Sequence, residues 1–272
     1  MPSQIWLIGG TTESVDLAAA LSRCQLPCVV TVLSPSAQAL YPALIGLKVC
    51  TGAFNYIKLR KFCHTHQIGV ILDASHPYAI EISQLAMQAS RQLQLPYLRF
   101  ERSSAIISAA GRNPWIVEVD TLSQLLQGSY LQQQRVLLTV GSKWLPHFQE
   151  YHASSTLFVR VLPRSSALQA AVEAGFRCDR IIALRPPISF DLEKALWQHW
   201  QISVVVTKAS GSPGGEEIKR RVAQALGVTL IIIKRPALAY PQQTSDLDTA
   251  IQFCRTALNA QEGMPSRDGQ WP

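Results

Sequence analysis

Hydrophobic and polar positions along the chain repeat one theme. A short apolar run rich in β-branched residues breaks at Gly, Ser, Asp or Pro, and a stretch with apolar residues every three or four positions follows. Such alternation of strand and helix signals predicts an α/β fold with mostly parallel sheets. In the first half the strand signals fall at 4–8, 27–33, 47–50, 69–73 and 96–101, with helices between them, among them 14–23 and one running from Pro77 to about 94. Asn55 reads as the cap of the helix after the third strand, and Pro77 suits a helical first turn because proline there gives up no needed N–H. Residues 102–114 are small, polar and weakly periodic, which suggests a connection, although 115–119 has the pattern of a strand opening the second half. From residue 135 the alternation resumes, with strands at 136–140, 157–162, 181–184, 203–207 and 229–234. Ser245-Asp246-Leu247-Asp248 resembles a capping box that opens a last helix to about 258, and a loose tail follows. The expected organisation is a domain at 1–102, a connection at 103–134, a second domain at 135–260 and a flexible tail at 261–272.

Chemistry concentrates where the strands end. The first strand runs into Ile8-Gly9-Gly10-Thr11-Thr12-Glu13-Ser14, a turn that needs glycine for φ > 0 and close approach of a ligand, followed by a helix N-terminus with N–H groups for a phosphate. Its spacing is not G-x-G-x-x-G, so the dinucleotide fingerprint is met only in part, and a ligand-free turn before a Thr-capped helix remains open. The second strand ends in Ser34-Pro35-Ser36, with no Asp or Glu to bind the free 2′-hydroxyl of NAD. Those serines either accommodate a 2′-phosphate, favouring NADPH over NADH, or merely cap the next helix. The fourth ends in Asp73-Ala74-Ser75-His76-Pro77-Tyr78, where His76 and Tyr78 are candidates to line a pocket and His76 to move a proton. In the bland alternative Asp73, Ser75 and His76 only satisfy helix N-terminal donors. In the second half four successive strands end in a cation: Lys143, Arg164, Arg185 and Lys208. If the strands are parallel, these gather on one sheet edge suited to carboxylates or phosphates, and otherwise they are ordinary solvated loop residues.

Composition narrows the choice. The chain has 272 residues, 47% hydrophobic and 16% charged, and its apolar runs are strand-length, far short of a membrane span. With no secretory signal at the N-terminus, a soluble, cytoplasmic protein is expected. Six scattered cysteines without a C-x-x-C pair suggest neither a disulfide framework nor a metal site. A net charge of +7 favours an anionic partner, yet the basic residues do not gather into runs interleaved with aromatics, so an anionic small molecule fits better than nucleic acid.

Taken together, Ile8-Gly9-Gly10-Thr11-Thr12-Glu13, Asp73-Ala74-Ser75-His76-Pro77-Tyr78-Ala79, Leu98-Arg99-Phe100-Glu101-Arg102 and Val206-Thr207-Lys208-Ala209-Ser210-Gly211 resemble the precorrin-6A reductase family of cobalamin biosynthesis, over about 4–236. The resemblance implies two Rossmann-like domains with a nicotinamide cofactor and an anionic tetrapyrrole in the cleft between them. It implies reduction of a ring double bond of precorrin-6A, or of its cobalt-containing counterpart, by NADPH, with NADH as the other candidate. Carried over, Gly10, Thr11, Thr12 and Glu13 would hold the dinucleotide, and Asp73, His76 and Tyr78 would lie near its nicotinamide end; the strand-end reading adds Gly9, Ser34, Ser36 and Ser75 to the cofactor-binding candidates. Lys208 and Ser210 would approach from the second domain. The sequence departs from the family pattern at Ala209 and at Ser212-Pro213, where Asn and a tighter Ser-Gly-Gly are usual. Two other readings stay open. An atypical short-chain reductase would carry a Tyr-x-x-x-Lys pair, which is missing where its acid would stand, and a non-catalytic NADP-binding redox sensor would have little use for the basic edge.

Overall fold

The structure is a computed structural model, and it describes residues 3–101, 113–211 and 214–262, with residues 261 and 262 described without their side chains. It divides into two compact units, Met1–Ser103 with Ala237–Pro272, and Ser104–Pro236.

The first unit holds strands β1 (Gln4–Ile8), β2 (Cys28–Val32), β3 (Leu47–Thr51), β4 (Ile68–Asp73) and β5 (Tyr97–Phe100), with helices α1 (Thr12–Arg23), α2 (Pro35–Gln38), α3 (Tyr56–Thr65) and α4 (Ile80–Leu93) between them. All its ladders are parallel, because each crossover returns the chain to the same end of the sheet. Strands β1, β2 and β4 are buried on both faces, which is why they read as unbroken apolar runs. One face packs Leu17, Ala18 and Leu21 of α1 over Leu7, Val30 and Leu72, and the other packs Leu59 and Phe62 of α3 and Ala86 and Met87 of α4 over Trp6, Val29 and Ile71.

The second unit opens with β6 (Ile116–Val119) and α5 (Leu122–Gln127) and continues through β7 (Arg135–Thr139), β8 (Thr156–Val161), α6 (Ser165–Glu173), β9 (Ile181–Ala183), α7 (Phe190–His199), β10 (Val204–Lys208), α8 (Glu216–Leu226) and β11 (Thr229–Ile233). A 3-10 segment, Ser142–His152, stands where a helix would connect β7 to β8. This sheet is also wholly parallel and covered on both faces, in the order β6-β11-β10-β7-β8-β9.

Two expected boundaries are corrected. The span 103–134 is not merely a connection, since β6 pairs with β11 and Leu125 of α5 joins the core of the second unit. Nor does 135–260 form one domain. After β11 the chain returns to the first unit, where β12 (Gln243–Thr244) pairs with β5 and α9 (Leu247–Glu262) covers the sheet. The physical reason is the stripe Ala250, Cys254, Ala257 and Leu258, which buries against Val70, Leu98 and Phe100, strand residues of that face other than those packed under α1. The resulting order is β12-β5-β4-β1-β2-β3. Helix α4 begins at Ile80, and Pro77 lies in the turn before it. Asn55 caps α3 as expected, accepting the Lys58 N–H at 2.9 Å. The last helix is capped by Asp246, which accepts from the N–H and hydroxyl of Thr249, rather than by Ser245. Arg102, Ser212, Pro213 and the tail from 263 lie outside the described residues. Among the described residues no helix is long and apolar enough to cross a membrane, and no group of three or more His, Cys, Asp or Glu is placed to hold a metal ion.

Candidate active site

In each sheet the strand order reverses once, and open parallel sheets bind ligands beyond the carboxyl ends of the strands at such a point. In the first unit the reversal falls between β1 and β4, so the Gly9-Gly10 turn and the loop after Asp73 emerge side by side. The Thr11 hydroxyl ties them together by donating to the Ala74 carbonyl at 3.0 Å.

The two glycines serve different needs. A Cβ on Gly9 would collide with the Tyr41 hydroxyl and stand 2.9 Å from Val30, so Gly9 answers to packing. Gly10 takes φ +104°, and nothing lies within 4 Å of where its Cβ would stand. A side chain there would fill an open cradle at the start of α1. The N–H groups of the turn itself are engaged internally. Gly10 donates to the Ser14 and Tyr41 hydroxyls at 3.1 and 2.9 Å, and Thr11 donates to Ser14 at 3.0 Å. The N–H of Ser14 goes to the Thr11 hydroxyl at 3.1 Å. What remains for an anion are the N–H groups of Thr12 and Glu13, which have no intrahelical carbonyl to bond. These fit the phosphates of a dinucleotide, with Gly10 allowing the approach.

Ser34 caps α2, accepting the Ala37 N–H at 3.3 Å and sharing a hydrogen bond with Ser36 at 3.0 Å. The capping alternative therefore describes Ser34, and no acid stands at this strand end.

Asp73 turns its carboxylate inward, into the protein. It is fully buried, and its carboxylate accepts from the Ser75 N–H and Arg99 at 2.9 Å each, from Tyr97 at 2.7 Å and from Ser83 at 2.6 Å. Four donors leave it no capacity for a guest. Arg99 continues to Glu101 and lies over the Tyr240 ring, whose residue arrives with the returning C-terminal segment. Burial first, then the Asp73 charge, raises the Tyr97 phenol, so it stays a neutral donor. Ser75 is buried in the same network and accepts from Arg99 at 3.1 Å. His76 and Tyr78 do reach the surface side of this turn. His76 is exposed, its Nδ1 accepts the Tyr78 N–H at 3.3 Å, and the rings lie 5.7 Å apart.

In the second unit the reversal falls between β7 and β10, where Lys143 and Lys208 emerge. Because the sheet is parallel, Arg164 after β8 and Arg185 after β9 lie at the same edge, as the conditional expectation required. The Lys208 ammonium stands 3.5 Å from the centre of the Trp144 ring. Burial, and then the neighbouring Lys143 charge, lower its pKa to about 8. Lys143 and Arg185 are exposed, whereas Arg164 is half-buried and its Nε is a buried donor with no partner among the described residues. Ser210 packs against Gly214, where a Cβ would collide with its hydroxyl, and its N–H donates to the Lys208 carbonyl at 2.7 Å.

Sequence reasoning did not single out Tyr41, Trp144 or Lys219. Lys219 is buried in α8, donates to the Gly214 carbonyl and is lowered to about 8 by burial and then by Arg160. Its position three and four residues before the buried Val222 and Ala223, on the helix's apolar stripe, was the available signal. Tyr41 and Trp144 carry no such mark, since an aromatic in a loop says nothing of what its ring or hydroxyl meets.

The chain matches the family model described as "Precorrin-6x reductase CbiJ/CobK" over residues 4–255. It is 47% identical to the cobalt-precorrin-6A reductase of Synechocystis sp., over 93% of this chain and 97% of the relative. With the cobalt-precorrin-6A reductase of Priestia megaterium it shares 29% identity, over 87% and 92%. The solved structure of CobK precorrin-6A reductase superposes with a TM-score of 0.75 at 23% identity, covering 94% of this chain and 97% of that one, a likeness of fold.

Proposed function

The chain belongs to the precorrin-6x reductase family, oxidoreductases of cobalamin biosynthesis that act on a CH–CH bond, and from that premise we propose that it reduces a ring double bond of precorrin-6A, or of its cobalt-containing counterpart, with NADPH. The cobalt-containing macrocycle is the first substrate to test, because the Synechocystis and Priestia relatives bear that name.

The observation that carries the cofactor assignment is Gly10, a left-handed glycine with an open cradle at the point where the first sheet reverses its strand order. Thr12 and Glu13 would offer their N–H groups to the phosphates, and the absence of an acid after β2 leaves Ser34 and Ser36 compatible with a 2′-phosphate. NADPH, when bound, supplies the hydride of the reduction. The protein's own tasks are to hold and orient the macrocycle, to exclude water and to see one proton delivered. Lys143, Arg164, Arg185 and Lys208 at the carboxyl edge of the second sheet suit a substrate bearing many carboxylates, and the unpartnered Arg164 Nε is a donor such a group would satisfy. His76, Tyr78 and Lys208 are the proton-donor candidates, and Lys208, at about 8, is populated in both protonation states near neutral pH.

The decisive assay follows anaerobic NADPH consumption with precorrin-6A and with cobalt-precorrin-6A, and identifies the dihydro product by mass. Turnover of either, with higher kcat/KM for NADPH than for NADH, is expected. Failure with both macrocycles would overturn the substrate assignment, and equal efficiency with both nucleotides the cofactor preference.

A further inference from the structure

We infer that Tyr41 is a positioning residue for the dinucleotide, its phenol pinning the Gly9-Gly10 turn in the shape that presents the start of α1. The inference rests on the cofactor reading above and goes beyond it, to a residue remote in sequence from the glycine motif.

The phenol is buried, with its ring in the apolar cluster of β1, β2 and α1. Its hydroxyl accepts the Gly10 N–H at 2.9 Å and meets the Ser14 hydroxyl at 2.5 Å. Proton accounting fixes the directions. The Ser14 hydroxyl donates its one hydrogen to the Thr11 carbonyl at 2.7 Å, so Tyr41 donates to Ser14 and accepts from Gly10. Ser14 in turn accepts from Gly10 and Thr11 at 3.1 and 3.0 Å, and Thr11 donates to Ala74 at 3.0 Å. Every polar hydrogen in this circuit has an acceptor, that of Gly10 being shared between the Tyr41 and Ser14 hydroxyls, and the circuit joins the loop after α2, the glycine turn and the loop after β4.

Two adjacent glycines give a turn large conformational freedom, and an unrestrained turn pays that entropy on binding. Here the phenol removes the freedom beforehand. It occupies the space a Cβ on Gly9 would need, and it holds Gly10 at its positive φ with the open side toward the cradle. It also engages the Gly10 N–H, and Ser14 that of Thr11, so the anion is met by the N–H groups of Thr12 and Glu13 rather than by the turn itself. The turn is thus a preformed support instead of a loop that closes on the phosphates.

Tyr41→Phe keeps the ring and deletes the hydroxyl, and Ser14→Ala deletes the other half of the circuit. Two readouts apply: calorimetric titration with NADPH, and amide hydrogen exchange of the protein without nucleotide. Loss of one neutral hydrogen bond corresponds to about a 2- to 13-fold change in an equilibrium constant. Tyr41→Phe is therefore expected to raise the NADPH dissociation constant by about that factor and to speed exchange at Gly10 and Thr11, while exchange in the strands of the second sheet stays at the parent's rate. A general loss of structure would move all of these together. The double variant is expected to weaken binding by less than the product of the single effects, because the hydroxyls act as one unit. A parent that binds NADPH with Tyr41→Phe and Ser14→Ala binding it equally well overturns the inference alone. A parent that does not bind NADPH overturns the cofactor reading and this inference with it. Should Tyr41→Phe not fold, unchanged affinity and unchanged exchange in Ser14→Ala overturn it equally.

Discussion

Among single residues, Lys208 and the two glycines make the sharpest claims. The Lys208 ammonium is retained below about 8 and lost as pH rises through that value, so carboxylate binding that depends on it weakens toward alkaline and not acid pH. The KM for the macrocycle is accordingly expected to climb above pH 8 in the parent. In Lys208→Arg, whose guanidinium stays charged, it should remain flat over the same range. Lys208→Ala should lower kcat/KM by roughly 10- to 150-fold, the equivalent of one charge-assisted hydrogen bond, while leaving NADPH affinity nearly intact. An alkaline limb that persists unchanged in Lys208→Arg would assign the titration to another group. The glycines separate stability from binding. Gly9→Ala drives a methyl into Tyr41 and Val30 and is expected to cost about 1–3 kcal/mol of stability in a denaturant titration. A Cβ at Gly10 meets no atom within 4 Å, so the main expected effect of Gly10→Val beyond local backbone strain is weakened NADPH binding in a folded protein. Equal NADPH affinity in Gly10→Val would remove the nucleotide from this turn.

At the level of elements, the β4–α4 junction is held by charge rather than by a cap. Helix α4 has no side-chain cap, and the turn before it is fixed by Asp73 and its four donors. Asp73→Ala leaves the Arg99 guanidinium, 1% exposed, with Glu101 as its remaining ionic partner among the described residues, and is expected to destabilise the protein by about 3–5 kcal/mol, read from the unfolding midpoint. Retained stability would mean that water reaches Arg99 and replaces the carboxylate. This junction also shows what the sequence could and could not tell. Strand β4 was legible because an all-apolar run ending at Asp is the mark of a buried parallel strand, and Gly9-Gly10 was legible because only glycine tolerates such a turn. The role of Asp73 was not, since its partners Ser83, Tyr97 and Arg99 come from α4 and β5, and nothing local tells a carboxylate facing a ligand from one sealed by a guanidinium. The same limit hid Tyr41, 31 residues from the N–H it engages. Helix boundaries failed for a related reason: Pro77 is as compatible with a turn as with a helical first turn. The four strand-end cations were readable as a group because parallel ladders carry successive strand ends to one edge, whereas the orphaned Arg164 Nε depends on packing that no spacing encodes.

For the whole molecule, the informative fact is that one unit is continuous and the other is not. Every described core residue of the second unit lies between 116 and 233, so a fragment of 104–236 is expected to give a cooperative unfolding transition and dispersed amide resonances. A fragment of 1–103 lacks Ala250, Cys254, Ala257 and Leu258 and is expected to aggregate or remain partly folded, with recovery on adding 237–272 in trans. A well-folded 1–103 would show that α9 is dispensable. Short β12, two residues with no periodicity, is what concealed this return from sequence reading. The same return sets an order of events during synthesis. About 150 residues separate β5 from the stripe of α9, and at ~5–20 residues per second a ribosome needs on the order of 10–30 s to emit them. For that interval the nascent first sheet carries a partly uncovered apolar face and an open edge at β5, while the later-written unit can already close around its own core. The part of the chain made first is the last to be finished, and during that wait it is a natural client for a chaperone.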